Sequence, residues 1–417
     1  MAIVTTSTRR SLLRRGLQCL TLVAATTAFI GAAQAAPNFP FGSHKQPYVS
    51  GTLSPSVGRA SADQSTASFY NTWKSRYLKT ACKAGEYRIK ADTGDAYVVS
   101  EGQGYGMLIT VLMAGNDPQA QTYFDGLHRY NRGHPSNNHR DLLAWAQDVN
   151  CNNVVGADSA TDGDLDIAYA LLLADAQWGS GGAINYAADA RKVIAAIRAK
   201  NVHPTNKLTN LGDWVSSSDA KYYNSTRSSD WMLGHFRAFA AKLGDSYWTG
   251  VLDAHQNVIS QMQSSYAPNT GLLPDFIVNT NTTPKPAPAG FLEGAQDGAY
   301  SWNAGRVPWR IGIDAAVSGD TRSRTAARKL SVWIRGKAGN NPNNVKAGYK
   351  LNGTVIDDYN EIFFTAPFAV AATVDPDGQA WLDKLWTYMA SGSPGDYYGD
   401  SVKLLSMLAV SNNWIKP

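Results

Sequence analysis

Three acidic side chains stand in company that suits them for chemistry. Glu101 lies in Ser100-Glu101-Gly102-Gln103-Gly104-Tyr105-Gly106-Met107, a carboxylate at the mouth of a glycine-rich helix start where small residues let a bulky ligand come close. Asp162 lies in Ala160-Thr161-Asp162-Gly163-Asp164, directly ahead of a strongly apolar run. Glu293 ends Phe291-Leu292-Glu293, after a proline-rich stretch. Each also has a plain structural reading. Glu101 favours the helix dipole, Thr161 with Asp164 makes a capping box with Asp in place of the usual Glu, and Glu293 is a solvated loop residue. The chemistries to weigh are metal binding, phosphate binding and proton transfer.

The first two fail on spacing. Asp162, Asp164 and Asp166 alternate like the start of a calcium loop, but Ile167 replaces the turn glycine and Leu173 takes the place of the closing Glu. There is no HExxH, no CxxC and no GxxxxGK[ST], and Gly102-x-Gly104-x-Gly106 lacks the wider dinucleotide fingerprint. No metal site is expected.

The elements that must position these residues are helices of two kinds. Leu165 to Trp178 is apolar almost all round, so it must be buried on every side. The helix opened by Asp117-Pro118, an N-cap with proline at the first position, puts Tyr123, Phe124, Leu127 and Tyr130 on one face. Asn185 to Lys200 is one-sided too, through Val193, Ile194 and Ile197. Further helices are expected at 62–80, 102–114, 229–243, 248–265, 304–316, 321–336, 360–373, 377–390 and 399–412, about twelve in all. Strand signals are sparse. Alternating enclosed and one-sided helices suggest two nested rings. The long non-helical stretch from Asn279 to Gly290 reads as a surface loop rather than an interdomain linker, because helices of the same style flank it.

Hydrophobic residues make up 44% of the 417 and charged ones 17%, which excludes a disordered chain or a solvated charged coil. Residues 1–35 carry four Arg and no acid; an apolar run from Leu17 to Ala33 then ends on Ala33-Gln34-Ala35, the pattern of a cleaved export signal. Thr8-Arg9-Arg10-Ser11-Leu12-Leu13 also resembles a twin-arginine signal, so the mature protein is expected to be secreted or periplasmic. Without that segment 34 basic residues face 33 acidic ones, so the balance does not indicate a nucleic-acid surface. No later stretch is apolar enough to span a membrane. Cys82 and Cys151 remain as the one available pair, and sequence leaves open whether they bond.

Taken together, the Ser100–Met107 segment, Ala160-Thr161-Asp162-Gly163-Asp164-Leu165-Asp166-Ile167-Ala168 and Asn303-Ala304-Gly305-Arg306-Val307-Pro308-Trp309-Arg310 resemble the ordered signatures of glycoside hydrolase family 8. Tyr397-Tyr398-Gly399-Asp400 and Asn413-Trp414 also fit. The resemblance implies an all-α fold, the (α/α)6 barrel of inner and outer helix rings, filling residues 36–417 as one catalytic domain. It also implies inverting endo-hydrolysis of β-1,4-linked glycans. There a protonated carboxyl group serves the leaving oxygen, while a carboxylate roughly 6.5–9.5 Å away activates water. Glu101 matches the proton donor and Asp162 the acid that binds the sugar at the cleavage point. Where many members carry Asp in Tyr-Asp-Ala, this chain has Trp302-Asn303-Ala304, and an amide cannot take a proton from water. The departure resembles a subgroup in which a loop Glu is the base, which assigns that role to Glu293, with Asp275 and Asp297 in reserve and Asn303 orienting the water.

Trp145, Trp214, Trp231, Trp302 and Trp309 are candidate sugar platforms, each with core packing as the competing account. Tyr105 and Arg306 are expected in the cleft. Acid–base hydrolysis requires no redox or organic cofactor. The expected activity is an endo-β-1,4-glucanase; a chitosanase on the same machinery is the nearest rival, and a non-catalytic carbohydrate-binding protein the alternative of another class. A monomer is the default.

Overall fold

Apolar residues repeated on one stripe, or on all sides, decide which helices lie outside and which inside. The computed structural model describes residues 36–392 and 395–417; the expected export signal lies outside the described residues. In chain order the helices are α1 (Arg59–Tyr77), α2 (Ser100–Leu112), α3 (Ala120–Gly133), α4 (Thr161–Trp178), α5 (Tyr186–Lys200) and α6 (Leu233–Leu243). They continue as α7 (Ser246–Ser265), α8 (Val307–Ser318), α9 (Thr321–Lys337), α10 (Ile362–Ala372), α11 (Gln379–Ser391) and α12 (Tyr397–Val410). Each even-numbered helix packs against the next, and α12 closes the circle onto α2. Each odd-numbered helix leans on the ring from outside, as α3 does on α2 and α5 on α4. This is the (α/α)6 barrel.

Inner helix α10 has every residue buried and α12 every residue but the half-buried Tyr398, whereas outer α5 buries Tyr186, Ala190, Val193, Ile194, Ala196 and Ile197 and leaves its Arg and Lys outward. Outer and inner rings are also joined by polar contacts: Trp73 on α1 donates its indole N–H to Ser401 on α12 at 2.9 Å. No described helix is long and apolar enough to cross a membrane.

Several local expectations are corrected. Helix α3 starts at Ala120, three residues after Asp117, whose Oδ1 accepts the Gln119 N–H at 2.9 Å while its Oδ2 binds Tyr70 and Lys74 of α1. Thr161 and Asp164 form no capping box: Thr161 donates to the Asn210 carbonyl at 2.7 Å, and Asp164 accepts from the Leu143 N–H at 3.0 Å. The glycines of the Glu101 segment and of Asp162-Gly163-Asp164 serve helix contact rather than ligand approach. A Cβ at Gly104 would lie 2.7 Å from that of Asp166, and one at Gly163 2.6 Å from the Ser100 backbone, so both let α2 and α4 touch.

Among the described residues seven short strands edge the barrel. β1 (Leu78–Thr80) pairs with β2 (Tyr87–Ile89), and β3 (Val98–Val99) pairs with β4 (Ala146–Gln147) and runs straight into α2. β5 (Ser225–Arg227), β6 (Phe276–Val278) and β7 (Lys285–Pro286) make an antiparallel sheet in that order. The Asn279–Gly290 stretch therefore contributes a strand and links no separate units: Ala36–Pro417 is one compact unit. A satellite apolar cluster of Leu211, Val215, Phe276, Ala287 and Phe291 backs this sheet. Cys82 and Cys151 are bonded, tying the β1–β2 turn to the loop after β4.

Candidate active site

Glu101 opens α2, Asp162 opens α4, Arg306 immediately precedes α8 and Tyr397 opens α12, so one end of the barrel collects the N-termini of the inner ring. That end favours negative charge, because unpaired N–H groups and helix dipoles point into it. It carries a cavity of about 570 Å³ whose lining includes Glu101, Asp162, Trp145, Trp214, Arg227 and Glu293.

Arg306 organises the floor. Its guanidinium is fully buried, and Nη1 donates at 2.7 Å both to Glu101 Oε2 and to Asp162 Oδ2. Nη2 donates to Ser229 and to Asn303 Oδ1, each at 3.0 Å. A planar fork of five donors can bridge two carboxylates and an amide in this way, and a lysine cannot. Tyr397 donates to the other oxygen of Glu101 at 2.9 Å. Burial pushes the Glu101 carboxyl up to about 7; the positive charge of Arg306 opposes that push and the negative charge of Asp162 adds to it. Glu101 is thus a carboxylic acid that still holds a proton near neutrality. Beneath it, Arg310 and His235 hold the buried Asp166 down at about 2, against the effect of burial.

Glu293 opens onto the same cavity from a different element. It sits on the loop beyond β7, half exposed, with Arg227 of β5 donating to one carboxylate oxygen and Asn303 Nδ2 to the other at 3.1 Å. Asn303 Oδ1 is itself fixed by Arg306 and by Tyr398, which donates at 3.0 Å. The two acids therefore do not touch: Arg306 and Asn303 stand between them in a hydrogen-bonded bridge. Among the described residues no group of three or more His, Cys, Asp or Glu is arranged to hold a metal ion.

The profile of glycosyl hydrolases family 8 matches residues 52–412. The chain belongs to glycosyl hydrolase family 8. Among its relatives, a beta-glucanase of Niallia circulans is 47% identical over 398 residues, covering 95% of each chain. An endoglucanase of Bacillus sp. strain KSM-330 is 42% identical over 384 residues, 89% of this chain and 81% of that one. Among solved structures, the apo form of a β-1,3-1,4-glucanase from Paenibacillus sp. X4 superposes with a TM-score of 0.88 at 47% identity, covering 92% of this chain and all of the other.

As a family 8 glycoside hydrolase, the protein places most of the sequence-derived candidates together, but not all where expected. Glu101, Asp162, Glu293, Asn303, Trp145 and Trp214 line the cavity. Tyr105 and Arg306 are fully buried and lie under the carboxylates, so they hold the floor instead of meeting sugar. Trp231 is also fully buried, its indole N–H spent on Thr226 at 3.0 Å, and Trp309 is packed in the core. Neither can be a platform. Trp302 is 50% exposed next to Asn303 but does not line the cavity. The reserve acids are both occupied: Asp275 is buried against Arg227 at 3.1 Å, and Asp297 is buried under backbone amides. Sequence reading missed Arg227, which lies in no motif, and gave no role to Tyr397 and Tyr398, whose motif was in view. It also missed Asp230, whose carboxyl is pushed up by burial and by the charge of Asp162.

One neighbour of the site governs stability rather than turnover. Burial drives Asp164 up to about 8, with the charge of Asp213 helping, from an ordinary value of 3.8. A folded-state value above the unfolded one contributes stability that is complete below about pH 4 and is lost as pH rises through about 8. Asp164→Asn is expected to remove up to ~1.4 kcal/mol per pH unit from the decline in stability between about pH 4 and 8. Thermal unfolding of both proteins across that range measures it; identical slopes would refute a protonated Asp164.

Proposed function

We propose that this enzyme is an exported, inverting endo-β-1,4-glucanase that cleaves mixed-linkage or cellulose-type β-glucans, with Glu101 as general acid and Glu293 as general base. The observation that carries the reading is the bridge just described. A carboxyl group that keeps its proton and a second, solvent-reaching carboxylate face one cavity, separated by Arg306 and Asn303 instead of touching. Carboxyl groups held apart in this way suit inversion, which needs the wider of the two glycosidase spacings so that a water fits beside the sugar. Glu101 protonates the leaving glycosidic oxygen. Glu293 takes the proton of the attacking water on the opposite face, while Asn303 and Arg227 hold its two oxygens in place. Asp162, fixed by Arg306 and by the Gly163 N–H at 2.8 Å, presents its carboxylate to the sugar at the cleavage point. Trp145 and Trp214 offer indole faces to neighbouring pyranose rings.

Relatives named beta-glucanase and endoglucanase, and the neighbour named β-1,3-1,4-glucanase, support the glucan substrate. The Cys82–Cys151 bond suits an oxidising compartment and so supports export. The cavity is lined by residues of a single chain, so catalysis on this reading calls for no second copy. The test is product release from mixed-linkage glucan, carboxymethyl-cellulose, chitosan and xylan in parallel, with proton NMR of the first product formed. The expected outcome is a preference for the glucans, a rapid fall in viscosity and an initial α-anomer. An initial β-anomer would overturn inversion, and a preference for chitosan or xylan would overturn the substrate.

A further inference from the structure

The loop that carries Glu293 is folded around a second carboxylate that never reaches the cavity. Asp297 is 4% exposed. One of its oxygens accepts the Leu292 N–H at 2.7 Å and the Glu293 N–H at 3.1 Å, and the other accepts the Gly294 N–H at 2.9 Å. Three consecutive backbone donors converge on it, and the two acceptor oxygens of an ionised carboxylate serve all three.

Asp297 is itself anchored. Its carbonyl accepts the Phe276 N–H of β6 at 2.9 Å, and at the next residue a Cβ would meet the Ala287 carbonyl at 2.1 Å, so Gly298 lets the segment press against the sheet. Behind the loop, Phe291 is buried against Tyr222 and Phe276, with ring centroids 5.2 and 5.6 Å away. The backbone of Glu293 is thus pinned from the sheet side, while its carboxylate is pinned from the cleft side by Arg227 and Asn303.

We infer that Asp297 is a positioning residue for the base: its carboxylate gathers the amides of residues 292–294 and so sets where the Glu293 side chain enters the cavity. This rests on the reading of Glu293 as base. Asp297 touches no substrate; it acts through the loop. Substitution by Asn replaces one acceptor oxygen with a donor that faces a backbone N–H, and substitution by Ala leaves all three amides without an acceptor.

Asp297→Ala is expected to lower kcat on mixed-linkage glucan by roughly 10- to 100-fold, the scale of a misplaced catalytic group, with KM changed by less than about threefold. Asp297→Asn should fall between it and wild type, and carries the test if the Ala variant does not fold. The decisive reading is the same substitution in a Glu293→Ala background turning over with azide. There the base is gone, so the Asp297 effect should vanish. An equal fold-loss in both backgrounds would show a role not exerted through Glu293 and overturn the inference. If Glu293→Ala is inactive yet Asp297→Ala keeps the wild-type kcat, the positioning role alone fails. Should Glu293→Ala itself keep the wild-type kcat, the base assignment fails, and the positioning role with it.

Discussion

Glu101→Gln is expected to lower kcat on polymeric β-glucan by ~10²–10⁴-fold while leaving KM within a few-fold, because it removes the proton and little else. The amide oxygen can still accept from Arg306, and the amide nitrogen can donate to the Tyr397 hydroxyl, so the floor keeps its shape. What goes is the ability to protonate the departing oxygen. A substrate whose leaving group needs no proton, such as a dinitrophenyl β-cellobioside, should therefore recover most of the lost rate. The pH profile gives a second reading. In the proposed role the working form of Glu101 is the protonated one, and burial holds that carboxyl at about 7, so kcat/KM of the wild-type enzyme should fall as pH rises through about 7. That falling limb should be missing from Glu101→Gln on the activated substrate. A variant equally slow on both substrates, or a limb that persists without Glu101, would remove it from the acid's role.

How far the residues announced this site differs from part to part. The double ring was legible because burial leaves a direct trace in composition: the run from Leu165 to Trp178 can only be enclosed, and Val193, Ile194 and Ile197 can only be one-sided. All twelve helices formed within a few residues of their expected limits. Helix ends were less legible, because tertiary partners compete for the capping groups, as Thr161 shows by donating to the Asn210 carbonyl. The strands were invisible for a different reason. Pairs of two or three residues such as Phe276–Val278 on Ser225–Arg227 are too short to show alternation, and only their placement beside the barrel makes them pair.

The acids of the site were readable through their motifs, yet the motif could not say which members face sugar. Arg306 and Trp231 look alike in sequence to residues that line a cleft; only packing shows that one lies under the carboxylates and the other in the core. Arg227 was beyond reach, because a single arginine on a three-residue strand has no local signature. Its importance comes from β5 lying beside β6, which brings it to Asp275 and Glu293 at once.

Glu293→Ala should be as severe as the loss of the acid, ~10²–10⁴-fold in kcat, since water at neutral pH is a poor nucleophile until a base draws off its proton. The alanine is the better probe of the base. A glutamine would turn an amide N–H against either Arg227 or Asn303 and disturb both, whereas alanine leaves a space beside them. Azide needs no deprotonation, so it should enter that space, restore turnover and give an α-glycosyl azide if attack comes from the face opposite Glu101. The acid must stay in place for this to work, so adding Glu101→Gln should abolish the rescue on polymer but not on a dinitrophenyl substrate. Asp275→Asn separates the remaining possibility. Asp275 is buried and spent on Arg227, so its amide variant should lose activity without azide rescue, through a displaced Arg227 and not through a missing base. Rescue of Asp275→Asn, or wild-type turnover by Glu293→Ala, would move the base from the loop to the sheet.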